Sequence, residues 1–337
     1  MMLISKRSAV ALAATVIAGG GLACARLPGA LPTPATVWLV PAPGARDALT
    51  ASGSVGSASP FAGPLIVLDS TTLRPVALLT SAREVSRAGD SATARIAVVT
   101  TYQGGRYRPE SVRALSDDRD VLAASGGAIA LAVSMVAGGV FMDFQGGTPN
   151  DLPGLVALAR ATADSARARG LAPVGIVVPP GDTVGYPTAV LARIADLIVV
   201  RLQGEHRPGT SPGALASPGW AARQLALRTV EIGANRVVAE LPLFGYRWDA
   251  GGSARPITFA GAQALVAAES GSFRRDPATG FLTAVGRDGW TIWVPDSRSI
   301  ELLIAAARRS GVHRIALSGI EGADPAIVDR LLGSIRR

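Results

Sequence analysis

The sequence predicts an α/β fold, a closed (β/α)8 TIM barrel with a small α+β insertion between its seventh and eighth strands. Three observations lead there. Eight short, near-continuous apolar runs rich in β-branched residues recur along the chain, as in parallel strands buried on both faces. Stretches with apolar residues at three- and four-residue spacing lie between several of them, where crossover helices belong. The segment before the last run is too long for one crossover, so it must hold structure of its own.

The strands are expected at residues 36–40, 65–68, 95–101, 139–144, 173–178, 196–203, 236–242 and 314–318, a number and span that fit one closed barrel. Helices are expected at 151–169, 186–195, 218–232 and 297–310, with Gly170, Gly233 and Gly311 at or just past three of their ends, where a left-handed cap costs glycine least. Residues 41–63 are rich in Gly, Ala, Ser and Pro, which predicts a first crossover made largely of loop. Residues 122–142 carry no charge over twenty-one positions, long enough to span a bilayer. Ser125, Gly126 and Gly127, then Gly138 and Gly139, are read as breaking this run into a helix and a strand. The insertion, at about 247–294, reads as a helix at 257–269 and a hairpin at 281–294 turning at Gly286–Gly289.

Residues 1–25 read as an export signal: Lys6 and Arg7 precede an apolar run that is shorter than a membrane span and dissolves into Gly19, Gly20 and Gly21. Cys24 is the single cysteine, so no internal disulfide forms. Two readings of it stand side by side. One is lipid attachment, since Gly21-Leu-Ala-Cys24 resembles a bacterial lipoprotein box with Gly21 at a position that prefers a branched aliphatic. The other is ordinary cleavage after Ala23-Cys-Ala25. Residues 26–35 hold three prolines and read as an extended tether to a folded part at 36–337.

With 48% hydrophobic and 17% charged residues the chain is globular, not disordered. Its charge of +8 becomes +6 once Lys6 and Arg7 leave with the signal, and every remaining basic side chain is arginine. No basic and aromatic cluster points to nucleic acid. Two histidines, His206 and His313, leave little material for a metal site or a catalytic triad. No cofactor is expected. Gly209-Thr-Ser-Pro-Gly213 matches a nucleophile-elbow string but lacks the strand-turn-helix setting.

Along residues 139–144 side chains alternate, so Phe141, Asp143 and Gln145 share the face that lines a barrel interior and its mouth. This spacing resembles the fourth-strand signature of glycoside hydrolase family 18, the chitinase-like barrels, written D-x-x-D-x-D-x-E. Residues 194–201 with His206, Pro212 and Gly213 resemble the sixth strand and loop of that family's spore-cortex-lytic branch. Leu241-Pro-Leu-Phe-Gly-Tyr-Arg-Trp248 resembles its seventh-strand motif, and residues 293–302 the lead into its last helix. The likeness spans roughly residues 94 to 331. It implies cleavage of β-linked amino sugars, in which the N-acetyl carbonyl attacks the anomeric carbon, the terminal Glu protonates the leaving oxygen and the neighbouring Asp holds the acetamido group, an exception to the two-carboxylate scheme.

The departures from this pattern argue against turnover. Asp143 keeps the Asp, but Gln145 stands at the acid, and an amide has no proton to give, a loss of about 10²- to 10⁴-fold in rate. Gly138 and Phe141 replace the two earlier carboxylates. Gln203 and Gly204 replace the sixth-strand Tyr and acid, and Ser318 replaces the last-strand Trp. Two charges are new: Arg201 on the sixth strand and Glu240 on the seventh. Alternation puts Arg201 on the interior face, so it is expected to cross the former catalytic crevice and pair with Asp143, Glu240 or both; Glu240 as an exposed strand-end residue is the competing reading. Phe244, Tyr246, Trp248, Trp290 and Trp293 gather near the insertion, either to hold sugar rings or to pack the insertion on the barrel.

The expected function is therefore that of an exported, family 18-like domain that binds amino-sugar polymers such as peptidoglycan or a chitin-like glycan without cleaving them. One alternative is an active glycosidase using Asp143 with a relocated acid, Glu205 or Glu240. Another is an envelope scaffold whose groove is closed and whose partner is a protein. In each case the membrane is reached only through a lipid anchor at Cys24.

Overall fold

The computed structural model describes residues 36–41, 64–79, 95–114, 117–320 and 322–327. The export signal, Cys24, the tether and most of the 41–63 crossover lie outside these residues.

Eight strands run parallel: β1 (Thr36–Val40), β2 (Leu65–Leu68), β4 (Ile96–Thr100), β5 (Gly139–Asp143), β6 (Val174–Val178), β7 (Leu197–Arg201), β8 (Val237–Pro242) and β14 (Arg314–Ser318). Each falls where the apolar runs placed it, to within a residue or two at the ends. The hydrogen-bonded order is β1-β14-β8-β7-β6-β5-β4-β2, and β3 (Pro75–Leu79) adds antiparallel to β2. Sequence reading missed β3. Its hairpin is made by Asp69, whose Oδ1 accepts from the backbone N–H of Thr71 and Thr72 at 2.9 and 2.8 Å, an Asx-type turn that reverses the chain. Val40, Leu65, Val67, Ile96, Val98, Phe141, Val177, Leu197, Val199, Val238 and Ala316 form one buried cluster, the filled barrel interior. The other side chains of these strands join a larger cluster with the surrounding helices, so the strands are apolar on both faces for a structural reason.

The helices are α1 (Pro109–Ala114), α2 (Arg119–Ser134), α3 (Leu152–Ala168), α4 (Thr188–Leu191), α5 (Pro218–Ile232), α6 (Phe259–Ala268) and α7 (Ser297–Arg309). Polar caps start several of them: Asp118 accepts from Val121 N–H, Ser217 from Trp220 N–H with Pro218 next in line, and Asp296 forms a capping box with Ser299. Gly170, Gly233 and Gly311 take φ of 73°, 79° and 77°, the left-handed region.

Two expectations need correction. Ser125, Gly126 and Gly127 do not interrupt the uncharged run; they lie inside α2. A Cβ on Gly126 would sit 2.6 Å from the Ala161 carbonyl carbon of α3, so the glycine permits close packing of two helices instead of ending one. The break falls at residues 135–138, after α2 ends at Ser134 and before β5 starts at Gly139. The helix expected over 186–195 is one turn, Thr188–Leu191. Pro187 precedes its first residue, and past its end the Arg236 guanidinium takes the Ala192 and Ala195 carbonyls at 2.6 and 2.7 Å, so residues 192–195 do not extend the helix. Among the described residues no helix is long and apolar enough to cross a membrane.

The insertion is a five-stranded antiparallel sheet ordered β10-β9-β13-β12-β11, from β9 (Phe244–Trp248), β10 (Ala254–Thr258), β11 (Arg274–Arg275), β12 (Leu282–Val285) and β13 (Thr291–Val294). With α6 it buries its own small cluster of Phe259, Ala262, Val266, Ala284, Trp290, Ile292 and Val294. It leaves the barrel directly after β8, at the C-terminal end of the strands where barrel enzymes build their sites.

Candidate functional site

Parallel pairing sets the site. Thr100 lies beside Asp143 and Arg201 beside Glu240 in register, so four polar side chains stand on the interior face at the barrel mouth. Arg201 reaches across β6. Its Nη1 is 2.8 Å from Asp143 Oδ2 and its Nε 2.8 Å from Glu240 Oε1, so it pairs with both carboxylates. All three are enclosed: Asp143 is 0% exposed, Glu240 1% and Arg201 2%. Glu240 is not an exposed strand-end residue.

Asp143 is already engaged through both carboxylate oxygens. Its Oδ2 also accepts from Tyr107 at 3.0 Å and lies 3.4 Å from Thr100 Oγ1, while Oδ1 accepts from the Gln145 amide at 2.8 Å. Tyr107 accepts in turn from Arg201. Burial pulls the Arg201 guanidinium down, but the Asp143 and Glu240 charges outweigh it and hold Arg201 well above its ordinary value. Burial pushes the Glu240 carboxyl up, against the attraction of Arg201, and it drives the enclosed Tyr107 hydroxyl well above its ordinary value.

The remaining expected site residues divide by position. Phe141 lies one layer below Asp143, edge-on to Trp38 with centroids 5.5 Å apart, and Gly175 leaves the space its ring needs, since a Cβ there would sit 2.5 Å from Phe141 Cδ1. Ser318 is buried and points its hydroxyl 3.5 Å from the Leu241 carbonyl. Trp248 is buried too, with Tyr246 half-buried against it at 5.6 Å. Trp290 is buried, gives its indole N–H to Glu269 and lies under the Arg247 guanidinium. These aromatics mainly pack the insertion. Gln203 alone of this group lines open space.

That space is a cleft of about 440 Å³ beside the network, lined by Tyr107, Gln145, Pro179, Pro180, Gly181, Arg201, Gln203, Gly204, Arg207, Trp220 and Gln224. Glu205 borders it in sequence but binds both the N–H and the hydroxyl of Ser217 at the start of α5, a helix-capping task. His206 contacts the Ser211 carbonyl at 3.0 Å. Among the described residues no group of three or more His, Cys, Asp or Glu side chains could hold a metal ion.

Sequence reading missed Tyr107 and Trp220. Tyr107 belongs to the loop after β4, and the only hint was an aromatic following Gly104-Gly105-Arg106 at a strand's C-terminal end. Trp220 sits in the first turn of α5, where it read as an ordinary amphipathic position.

No family model matches the chain. Over 64 residues it is 34% identical to an uncharacterized glycosylase, YvbX, of Bacillus subtilis strain 168, a match that spans only 19% of this chain and 19% of that relative's length. A chitinase from Chromobacterium violaceum superposes with a TM-score of 0.68 at 19% identity, covering 90% of this chain and 99% of that one. The Bacillus cereus spore cortex-lytic enzyme SleL superposes with a TM-score of 0.70 at 15% identity, covering 88% and 73%. At such identities the likeness is one of fold. The chain thus has the (β/α)8 barrel seen in chitinases and spore cortex-lytic enzymes, with its own polar network where the strands end.

Proposed function

We propose that this is an exported glycan-binding domain for amino-sugar polymers, of the peptidoglycan or chitin kind, that does not cleave them. The observation that carries the reading is the enclosed Arg201–Asp143–Glu240 network with Gln145 bound to Asp143. Acid catalysis needs a proton donor within reach of the leaving oxygen. Gln145 is an amide, Glu240 is buried beneath Arg201, and Glu205 is committed to Ser217. Asp143, which the family resemblance would assign to the acetamido group, already has four partners. The cleft beside this network favours glycan binding over a closed scaffold, and the chitinase and cortex-lytic names of the fold neighbours point to amino-sugar polymers. The export signal expected at residues 1–25 supports placing this domain in the cell envelope.

The test is calorimetric titration of the mature protein with soluble peptidoglycan fragments and chitooligosaccharides, alongside a reducing-end assay. Saturable binding with no release of reducing ends is expected. Gln145→Glu alone is expected to leave the protein without turnover, because Asp143 stays paired with Arg201 and Tyr107. Brisk hydrolysis by the wild type would overturn the proposal.

A further inference from the structure

The ring of strands directs attention to its axis, yet the open space lies to one side of it. Trp220 and Gln224 are one helical turn apart on α5, so both face the same way, and both line the cleft opposite the 203–207 loop. Trp220 is half-buried, packed on one side against the core around the barrel. The carbonyl oxygens of the Gln203 and Gln224 side chains are buried and have no hydrogen-bond partner among the described residues. An unpaired buried acceptor is costly unless a donor arrives, and two that line one cleft point to a ligand rich in donors. Arg201 is spent on Asp143 and Glu240. Arg207 is not: it is exposed, lines the same cleft, and its guanidinium has no carboxylate within ion-pair distance among the described residues. Among the described residues no acidic side chain lines the cleft.

We propose that Trp220, Gln203, Gln224 and Arg207 form an off-axis glycan subsite, and that the sugar seated there carries a carboxylate. This rests on the glycan-binding reading above and deepens it. The indole supplies an apolar face for a pyranose ring, the two amides accept from hydroxyl or amide N–H groups, and Arg207 pairs with the carboxylate. A carboxylate can reach this site on a lactyl ether, as in muramyl sugars, or on a uronic acid, and both present the same anion to Arg207.

The experiment measures affinity of the mature protein for three disaccharides: N,N′-diacetylchitobiose, which is neutral; N-acetylglucosaminyl-N-acetylmuramic acid; and the glucuronyl-N-acetylglucosamine unit of hyaluronan. At least one acidic disaccharide is expected to bind about tenfold or more tighter than chitobiose, as a charge-assisted hydrogen bond implies, and which one identifies the source of the carboxylate. Arg207→Gln is expected to erase that difference. Trp220→Ala is expected to weaken all binding about tenfold or more, with Trp220→Leu, which keeps the core contact, reporting the loss of the ring in a folded protein. Equal wild-type affinity for neutral and acidic sugars would overturn the carboxylate assignment. Glycan binding unchanged in both Trp220 variants would overturn the subsite while leaving the glycan-binding reading intact. If the wild type bound none of the three nor any longer fragment, both would fall.

Discussion

Among the described residues two arginines are buried, and they are satisfied in opposite ways. Arg201, at the mouth, is neutralised by two carboxylates, each at 2.8 Å. Arg228, on α5 and 0% exposed, touches no carboxylate: it donates to the carbonyls of Pro179, Asp182 and Tyr186 and to the Thr188 hydroxyl. The protonation energetics follow. Arg201 is held above its ordinary value by its counter-charges, while burial with only neutral acceptors pulls Arg228 below its own. Arg228 therefore acts as a backbone tie that shapes the 179–188 loop and one wall of the cleft. Arg201 ties the strand ends of β5, β7 and β8 together at the barrel mouth. Charge pairing marks the barrel mouth, and carbonyl pairing marks scaffold.

The largest expected effect breaks the first of these arrangements. Arg201→Met leaves Asp143 and Glu240 buried without a counter-charge and should cost about 3–5 kcal/mol, read as a lower urea midpoint at neutral pH with an unchanged m-value. The comparison sharpens if all three charges go together. Arg201→Met with Asp143→Leu and Glu240→Leu removes the need for pairing, so the triple variant should regain wild-type stability or exceed it, since apolar replacement of a buried ion set is neutral or stabilising by about 1–4 kcal/mol. A triple variant as weak as the single one would mean that packing, not charge, sets the cost.

Arg228→Met comes next. It orphans neutral carbonyls near the cleft, where water can partly replace the guanidinium, and should cost about 1–3 kcal/mol. Because Pro179, one of those acceptors, lines the cleft next to Pro180 and Gly181, this variant should also weaken glycan binding, which Arg201→Met should disturb less provided it remains folded. Titrations of both variants at a temperature well below their unfolding midpoints check this; equal losses would dissolve the distinction between tie and centre.

The parts of this arrangement that depend on strand alternation were legible in the sequence. Asp143 and Arg201 had to share the interior because each ends a run whose odd positions point inward, and the Arg201 pairing followed from the cost of leaving a buried charge alone. The strands themselves were legible because β-branched runs buried on both faces have few other homes. Tyr107 and Trp220 were not, since their places depend on loop paths and on which face of α5 meets the cleft, and neither leaves a periodic trace. The one-turn α4 was misread for a related reason: Arg236, more than forty positions along the chain, takes the Ala192 and Ala195 carbonyls where local periodicity would have continued the helix. Gly126 shows the reverse error, a residue read as a breaker because its packing partner is remote.

The smallest effect concerns pH and isolates Glu240. Its carboxyl is raised by burial, with Arg201 and the Ser318 hydroxyl opposing and Asp143 adding to the rise. A carboxyl whose folded value exceeds its unfolded one binds protons more tightly when folded, so its contribution to stability is fully present below the ordinary Glu value of about 4.3 and is lost as pH rises through the raised folded value. Asp296 runs the other way: burial alone would raise it, but Arg275 and the Ser299 bonds outweigh burial and lower it, so its contribution is lost as pH falls. Overall acid sensitivity therefore says little, and the informative quantity is the stability difference between wild type and Glu240→Gln. That difference should shrink in the wild type's disfavour as pH climbs above about 4.3 and level off once Glu240 is ionised, read from urea midpoints at half-unit steps between pH 4 and 8. A flat difference would mean that burial and Arg201 cancel at Glu240, and one that grew in favour of the wild type toward neutral pH would mean that Arg201 outweighs burial and keeps Glu240 ionised to lower pH than in the unfolded chain.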